Sequence, residues 1–194
     1  MRQVRTNVFE TNSSSTHSIA IPRSASINIS EIYFHTGDFG WGYDEVDPAD
    51  YFYTAIYVTS DTEEEVSEKI GRLKDILDAY GIDYDFSEPE THIWHDDYDN
   101  KDYFLLDDGY IDHGDELKEF VNMLLNDGDK LVRFLSGGLV FTGNDNCSTE
   151  ESGFIDRNVE YLDDYDWRTK QEFKIKNPYY MNNHEDYEWH WKGN

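Results

Sequence analysis

One cysteine, Cys147, no apolar run close to a membrane span, and 16 basic residues against 42 acidic ones set the first limits on this 194-residue chain. A lone cysteine excludes an intrachain disulfide and a cysteine-rich zinc site, and it fits a reducing compartment. A spanning helix needs about 20 consecutive apolar residues, which the chain lacks, and its first residues carry no apolar signal core. With a net charge of −26, attraction to nucleic acid or to an anionic membrane through a general electrostatic field is excluded. The natural electrostatic partners are basic proteins or metal ions. What the chain does have is aromatic: 15 Tyr, 11 Phe and 5 Trp. A mean hydropathy of −0.80 alone would suggest disorder, but disordered chains are poor in such residues. The composition therefore describes one folded, aromatic-cored, acidic domain.

Spread over the roughly 9,600 Å² expected of this mass, a charge of −26 gives about one net charge per 370 Å². That spacing, near 19 Å, exceeds the ~8 Å screening length at physiological salt. Only a clustered face would resemble closely spaced phosphates. The acids are indeed clustered. Residues 83–116 contain thirteen of them and one base, Lys101. A shorter patch, Asp156, Glu160, Asp163, Asp164 and Asp166, has Arg157 and Arg168 beside it, whereas residues 1–29 carry three arginines against Glu10.

Hydrophobic periodicity predicts strands at 3–9, 18–22 and 27–34, and a glycine-rich loop at 35–48. Asp47 with Pro48 predicts a helix start, with Tyr51, Phe52, Ala55 and Ile56 inward. Asp61 with Glu64 fits a capping box for a helix carrying Val66, Ile70, Leu73, Ile76 and Leu77 and closed by Gly81. Strands follow at 82–86 and 103–111, and a helix at 115–127 with Leu117, Phe120, Val121, Leu124 and Leu125 on one stripe. Residues 130–136 and 138–143 read as a hairpin through Gly137-Gly138, with further strands at 159–164 and 172–177. The expected class is α+β, a mainly antiparallel sheet with about three helices. One domain spans 1–178, and 179–194 is a polar, Trp-rich tail.

Chemistry concentrates in three polar motifs. Glu10-Thr11-Asn12-Ser13-Ser14-Ser15-Thr16-His17 supplies turn-forming hydroxyls beside an imidazole that could serve Ser15 or Ser18 as a base. Tyr110-Ile111-Asp112-His113 and Thr142-Gly143-Asn144-Asp145-Asn146 are the others. Each also reads as ordinary structure: a Ser/Thr turn, a helix start, and a turn. Together with Val8, Phe9, Ser18 and Gly40-Trp41, these segments resemble a group of phage and mobile-element proteins of Firmicutes-type bacteria, for which no activity is established. That resemblance implies a mobile-element setting, the cytoplasm of a bacterial host, and motifs that meet in space. If they meet, His17, Asp112, His113 and Asp145 could hold a divalent metal, with Asn12, Asn144 or Asn146 behind them. Alternatively, His17 or His113 with Asp145 could run acid–base chemistry.

Other candidates are weaker. His92 and His95 share a face only on a helix, which Pro89 and the neighbouring acids oppose. His184 and His190 lie in the tail. On the helix at 62–80 the pairs Glu65–Lys69 and Glu68–Arg72 neutralise much of the acid. GDFGWG lacks the context of a phosphate loop, and Cys147 has no activating neighbour. Two readings result. In the first, no cofactor is needed: Asp96, Asp97, Asp99, Asp102, Asp107 and Asp108 form an aromatic-backed face. That face would occupy the basic channel of a nucleic-acid-binding protein such as a nuclease of the CRISPR or restriction type. The alternative is a small metal-dependent hydrolase or transferase built from the three polar motifs.

Overall fold

A computed structural model describes residues 15–24, 27–98, 100–144, 146 and 148–192. The chain opens with β1 (Ser15–Pro22), β2 (Glu31–Phe34), β3 (Asp38–Phe39) and β4 (Asp44–Val46), followed by α1 (Pro48–Val58) and α2 (Glu63–Tyr80). Next come β5 (Asp83–Phe86), β6 (Thr91–Asp96), β7 (Lys101–Leu106) and β8 (Tyr110–Ile111). A 3-10 turn at Gly114–Leu117 leads into α3 (Lys118–Asn126), α4 (Gly128–Gly137) and β9 (Leu139–Asn144). The remainder is α5 (Thr149–Ile155), β10 (Tyr161–Asp166), β11 (Gln171–Lys176) and β12 (Tyr187–Lys192). The class is α+β, with five α-helices among the described residues where about three were expected. No helix of the described residues is long and apolar enough to cross a membrane.

A four-stranded antiparallel sheet in the order β12-β1-β9-β4 forms the base. β1 is one of its two inner strands, with β9, and is almost wholly buried. Since side chains alternate between faces, Ile19 and Ile21 enter the helical core while Ser18 and Ala20 face the other side. The expectation of a mainly antiparallel sheet is too simple, because β2 pairs with β5, and β3 with β8, in parallel. Crossovers through α1 and α2 carry the chain from β2 to β5, and such long connections permit parallel pairing.

α1 is the hub. Asp47 caps it by accepting from the Ala49 and Asp50 amides, with Pro48 at the first position. Its aromatic side chains radiate in different directions: Phe52 onto Phe134 of α4, Tyr53 onto Phe34 and Phe86, Tyr57 onto Phe104, and Tyr51 onto Phe39 and His17. A helix apolar on every side has to be surrounded, and this one is. Beyond its end, Lys69 of α2 is only 4 % exposed. Its ammonium donates to the Thr59 carbonyl, the Thr59 and Ser60 hydroxyls and the Glu65 carboxylate, closing the last turn of α1.

Four local expectations change. The cap of α2 lies one residue on and is not a full capping box: Thr62 accepts from the Glu65 amide, but Glu65 accepts from the Asp61 amide and not from that of Thr62. Residues 130–136 are helical, not a hairpin strand. Asp127 ends α3 and also caps α4 through the Lys130 amide, so Leu131, Val132, Phe134 and Leu135 become one buried face. α5 was not expected; Ser148 and Glu151 form its complete capping box. Finally, the polar segment at 179–194 supplies β12, which pairs with β1 from His17↔Lys192 to Pro22↔Tyr187. The strand expected at 3–9 lies outside the described residues.

Candidate functional site

The polar end of the four-stranded sheet brings the three motifs together. Ser15 pairs with Asn144, Thr16 with Gly143, and His17 with Thr142, so the first motif lies directly against the third. The second arrives through Asp112, which follows β8. Its Oδ2 accepts from the Ser15 amide at 3.1 Å, and the Ser15 hydroxyl donates to the Asp112 carbonyl at 3.4 Å. Trp41 donates its indole N–H to the same Oδ2 at 3.1 Å. Burial works to raise the Asp112 carboxyl, but the Trp41 and Ser15 donors and the nearby His113 and Lys192 charges outweigh it and hold the group below its usual value. From the loop before β4, Gly42 offers its carbonyl to the Thr142 hydroxyl at 2.6 Å.

His17 is fully buried within this cluster. Its Nδ1 lies 2.7 Å from the Tyr51 hydroxyl of α1, and the Gly40 carbonyl also acts on the ring, although Nε2 makes no hydrogen bond of full geometry. Burial, reinforced by the positive charge of Lys192, lowers its pKa to about 3 against the weaker pull of the Gly40 carbonyl and Asp112. The ring is therefore neutral at physiological pH. Lys192 is its cross-strand partner on β12, is 3 % exposed, and donates to the Ser15 carbonyl at 3.3 Å and the Ser15 hydroxyl at 2.9 Å.

Of the residues read as a metal or catalytic set, His17 and Asp112 share this cluster. His113 adjoins it, exposed and with φ 50, a left-handed backbone that histidine adopts more readily than most residues. Asp145 and Asn12 lie outside the described residues. Among the described residues, no group of three His, Cys, Asp or Glu is placed to hold a metal ion. The electrostatics also oppose a cation at His17, because an ammonium lies across the strand pair. Tyr51 and Lys192 were missed by sequence reasoning; the alternating Tyr187-Glu188-Trp189-His190-Trp191-Lys192 was the available signal for a buried strand.

The acidic residues occupy a different part of the molecule, the β6–β7 hairpin. Trp94 and Tyr103 face one another across its strands, with ring centroids 5.7 Å apart. Asp96 ends β6, Asp97 is fully exposed, Asp102 lies on β7, and Asp107 and Asp108 are exposed just beyond it. Asp99 is outside the described residues. On this strand His92 and His95 do not share a ligand. Each engages its own acid through Nδ1 at 2.7 Å, His92 with Asp107 and His95 with Asp102. A cleft of about 350 Å³ lined by Asp61, Lys101, Asp102, Tyr103 and Phe104 borders the hairpin. His190, also assigned to the tail, is on β12 and lies against Phe120. Comparison with protein-family models, curated proteins and solved structures finds no match.

Proposed function

We propose that this chain is a non-enzymatic binding protein that presents its acidic hairpin to a basic nucleic-acid-handling protein and competes with nucleic acid for it. One contrast carries the reading. The β6–β7 and β10–β11 hairpins are built alike, from two strands of six residues each. Residues 160–176, around β10–β11, hold five acids and four bases, so that hairpin is locally neutralised. Residues 88–108, around β6–β7, hold eight acids and Lys101 alone. Uncompensated charge on a projecting, aromatic-stiffened element favours encounter with a positive channel and acts chiefly on association rate. The resemblance to mobile-element proteins supports a host defence nuclease, of the CRISPR or restriction type, as the target.

The test is inhibition of purified basic nucleases of those two types by the intact protein. Cleavage should fall as the protein is added and recover with excess uncleavable duplex, and inhibition should weaken as salt rises from about 50 to 200 mM, where screening shortens to below 10 Å. Inhibition unaffected by both competitor and salt would contradict the acidic-face reading.

A further inference from the structure

The β10–β11 hairpin is firmly rooted. Leu162 is buried against Gly153 of α5, and the buried Asn177 amide donates to the Gly153, Asp156 and Val159 carbonyls. On the hairpin itself the aromatic side chains are open: Phe173 is 44 % exposed, Tyr161 49 %, and Trp167, in the turn, 84 %. Asp166 shapes that turn by accepting from the Arg168 and Thr169 amides and the Thr169 hydroxyl. Tyr165 holds the Trp167 ring edge-on, with centroids 4.8 Å apart. A tryptophan so exposed yet already oriented loses little freedom when a partner covers it. Charge is the second signal. Residues 167–176 hold Arg168, Lys170, Lys174 and Lys176 against Glu172 alone, so four of the chain's 16 bases sit on this tip and β11. The other acids of the hairpin lie on β10 or just before it, and Asp163 reaches across to Lys174 at 3.5 Å.

A receptor of matching chemistry lies on the same chain. The cleft of about 350 Å³ beside the acidic hairpin is lined by Tyr103 and Phe104 together with Asp61, Lys101 and Asp102. It falls within the about 300–1,000 Å³ of pockets that take small organic ligands, with room for one indole. Its aromatic walls are braced from behind, Tyr103 by Trp94 at 5.7 Å and Phe104 by Tyr57 of α1 at 6.5 Å. We infer that this chain self-associates: Trp167 of one copy seats in the Tyr103–Phe104 cleft of a second, with Arg168 and Lys170 meeting Asp102 and the acids beside it. Aromatic and arginine anchors in a pocket carry most of the energy of such contacts. Lys101 does not reverse the local field, since its cross-strand partner is Asp96 and residues 88–108 hold eight acids. Two chains of net charge −26 repel at long range, but a screening length of ~8 Å at physiological salt leaves the local match to decide. Tip and cleft are different surfaces, so the contact is heterologous; two copies close it reciprocally or it propagates into larger assemblies. This association needs no nucleic-acid-handling target and is independent of the proposed function.

The test is sedimentation equilibrium of the intact protein from about 10 to 500 μM at about 150 mM salt. The average mass should rise with concentration. Trp167→Ala should weaken association at least about tenfold, and Asp102→Lys, at an exposed position of the cleft, should weaken it too. Circular dichroism should show both variants folded, because both side chains are open to solvent. Mixed together, the two variants retain one intact cleft and one intact tip, so they should form a 1:1 complex tighter than either forms with itself. Acrylamide quenching of the wild type, less that of Trp167→Phe, should fall as concentration rises. A monomer mass throughout, equal association in Trp167→Ala, or no complex on mixing would overturn the proposal. A single-stranded oligonucleotide or a phosphatidylcholine vesicle that shields Trp167 while the protein stays monomeric would overturn it as well, and would assign the tip to that ligand. None of these readouts uses a nuclease, so they decide self-association whether or not the acidic hairpin inhibits one.

Discussion

Acid should weaken this fold through His17 before most of its carboxylates are protonated. In the unfolded chain the ring takes up a proton near its ordinary value of 6.5, whereas in the folded chain it resists protonation down to about 3. Its contribution is therefore complete above pH 6.5 and is lost as pH falls toward 3, at about 1.4 kcal/mol per unit. At pH 4.5 the loss amounts to about 2.7 kcal/mol, a large part of a typical domain stability of roughly 5–15 kcal/mol. His190, lowered chiefly by burial, adds to the decline in the same range, so the comparison must be made between proteins. Urea unfolding followed by tryptophan fluorescence, for the wild type and His17→Gln at pH 7 and pH 4.5, isolates the effect. The variant should be the less stable at pH 7, because glutamine fits the Tyr51 hydroxyl poorly. That deficit should shrink by about 2–3 kcal/mol at pH 4.5, where only the wild type pays for a buried neutral ring. A stability difference that stays constant between the two pH values would refute a neutral, desolvated His17.

Other positions give independent checks. Lys69→Met removes the ammonium that closes α1 and leaves the buried Thr59 and Ser60 acceptors without it, while Glu65 keeps the Asp61 amide and Lys118; denaturation should show a loss of about 1–3 kcal/mol, and an unchanged midpoint would contradict that role. At Gly143 an added Cβ would lie 2.3 Å from Ile155 and 2.8 Å from Tyr43, so Gly143→Ala should lower stability by about 1–3 kcal/mol and disturb the seating of α5 on β9. Trp41→Phe deletes one of two donors to Asp112, and the carboxyl titration followed by carbon NMR should move upward toward the ordinary range; no movement would contradict the assigned contact.

Much of the scaffold was legible because local signals agreed with tertiary demands. Asp47-Pro48 at the head of α1, Gly81 in the left-handed conformation (φ 66) after α2, and strand β5 all stand where residue type and periodicity put them. Residues 130–136 misled because Gly137-Gly138 suits a hairpin turn. In the structure Gly138 is instead the residue beyond a helix end, held so close to the Phe134 carbonyl that no Cβ would fit. The meeting of the three motifs was legible only as an implication of resemblance, since no periodicity links residues 97 positions apart such as Ser15 and Asp112. The chemistry of the cluster was hidden for the same reason. Tyr51 reads as one more apolar position on a helix, and Lys192 reads as tail, until β12 folds back beside β1 and places that ammonium against a histidine in the first strand.

The most direct measurement of the acidic-face account is the affinity of an inhibited nuclease for the protein carrying Asp97→Asn, Asp102→Asn, Asp107→Asn and Asp108→Asn together, at about 150 mM salt. Each change keeps a hydrogen-bonding side chain and removes one charge, so circular dichroism should show an unaltered fold. At roughly 0.2–1 kcal/mol per exposed charge pair, binding should weaken about fourfold or more, mainly through slower association. Affinity equal to that of the wild type would contradict the account.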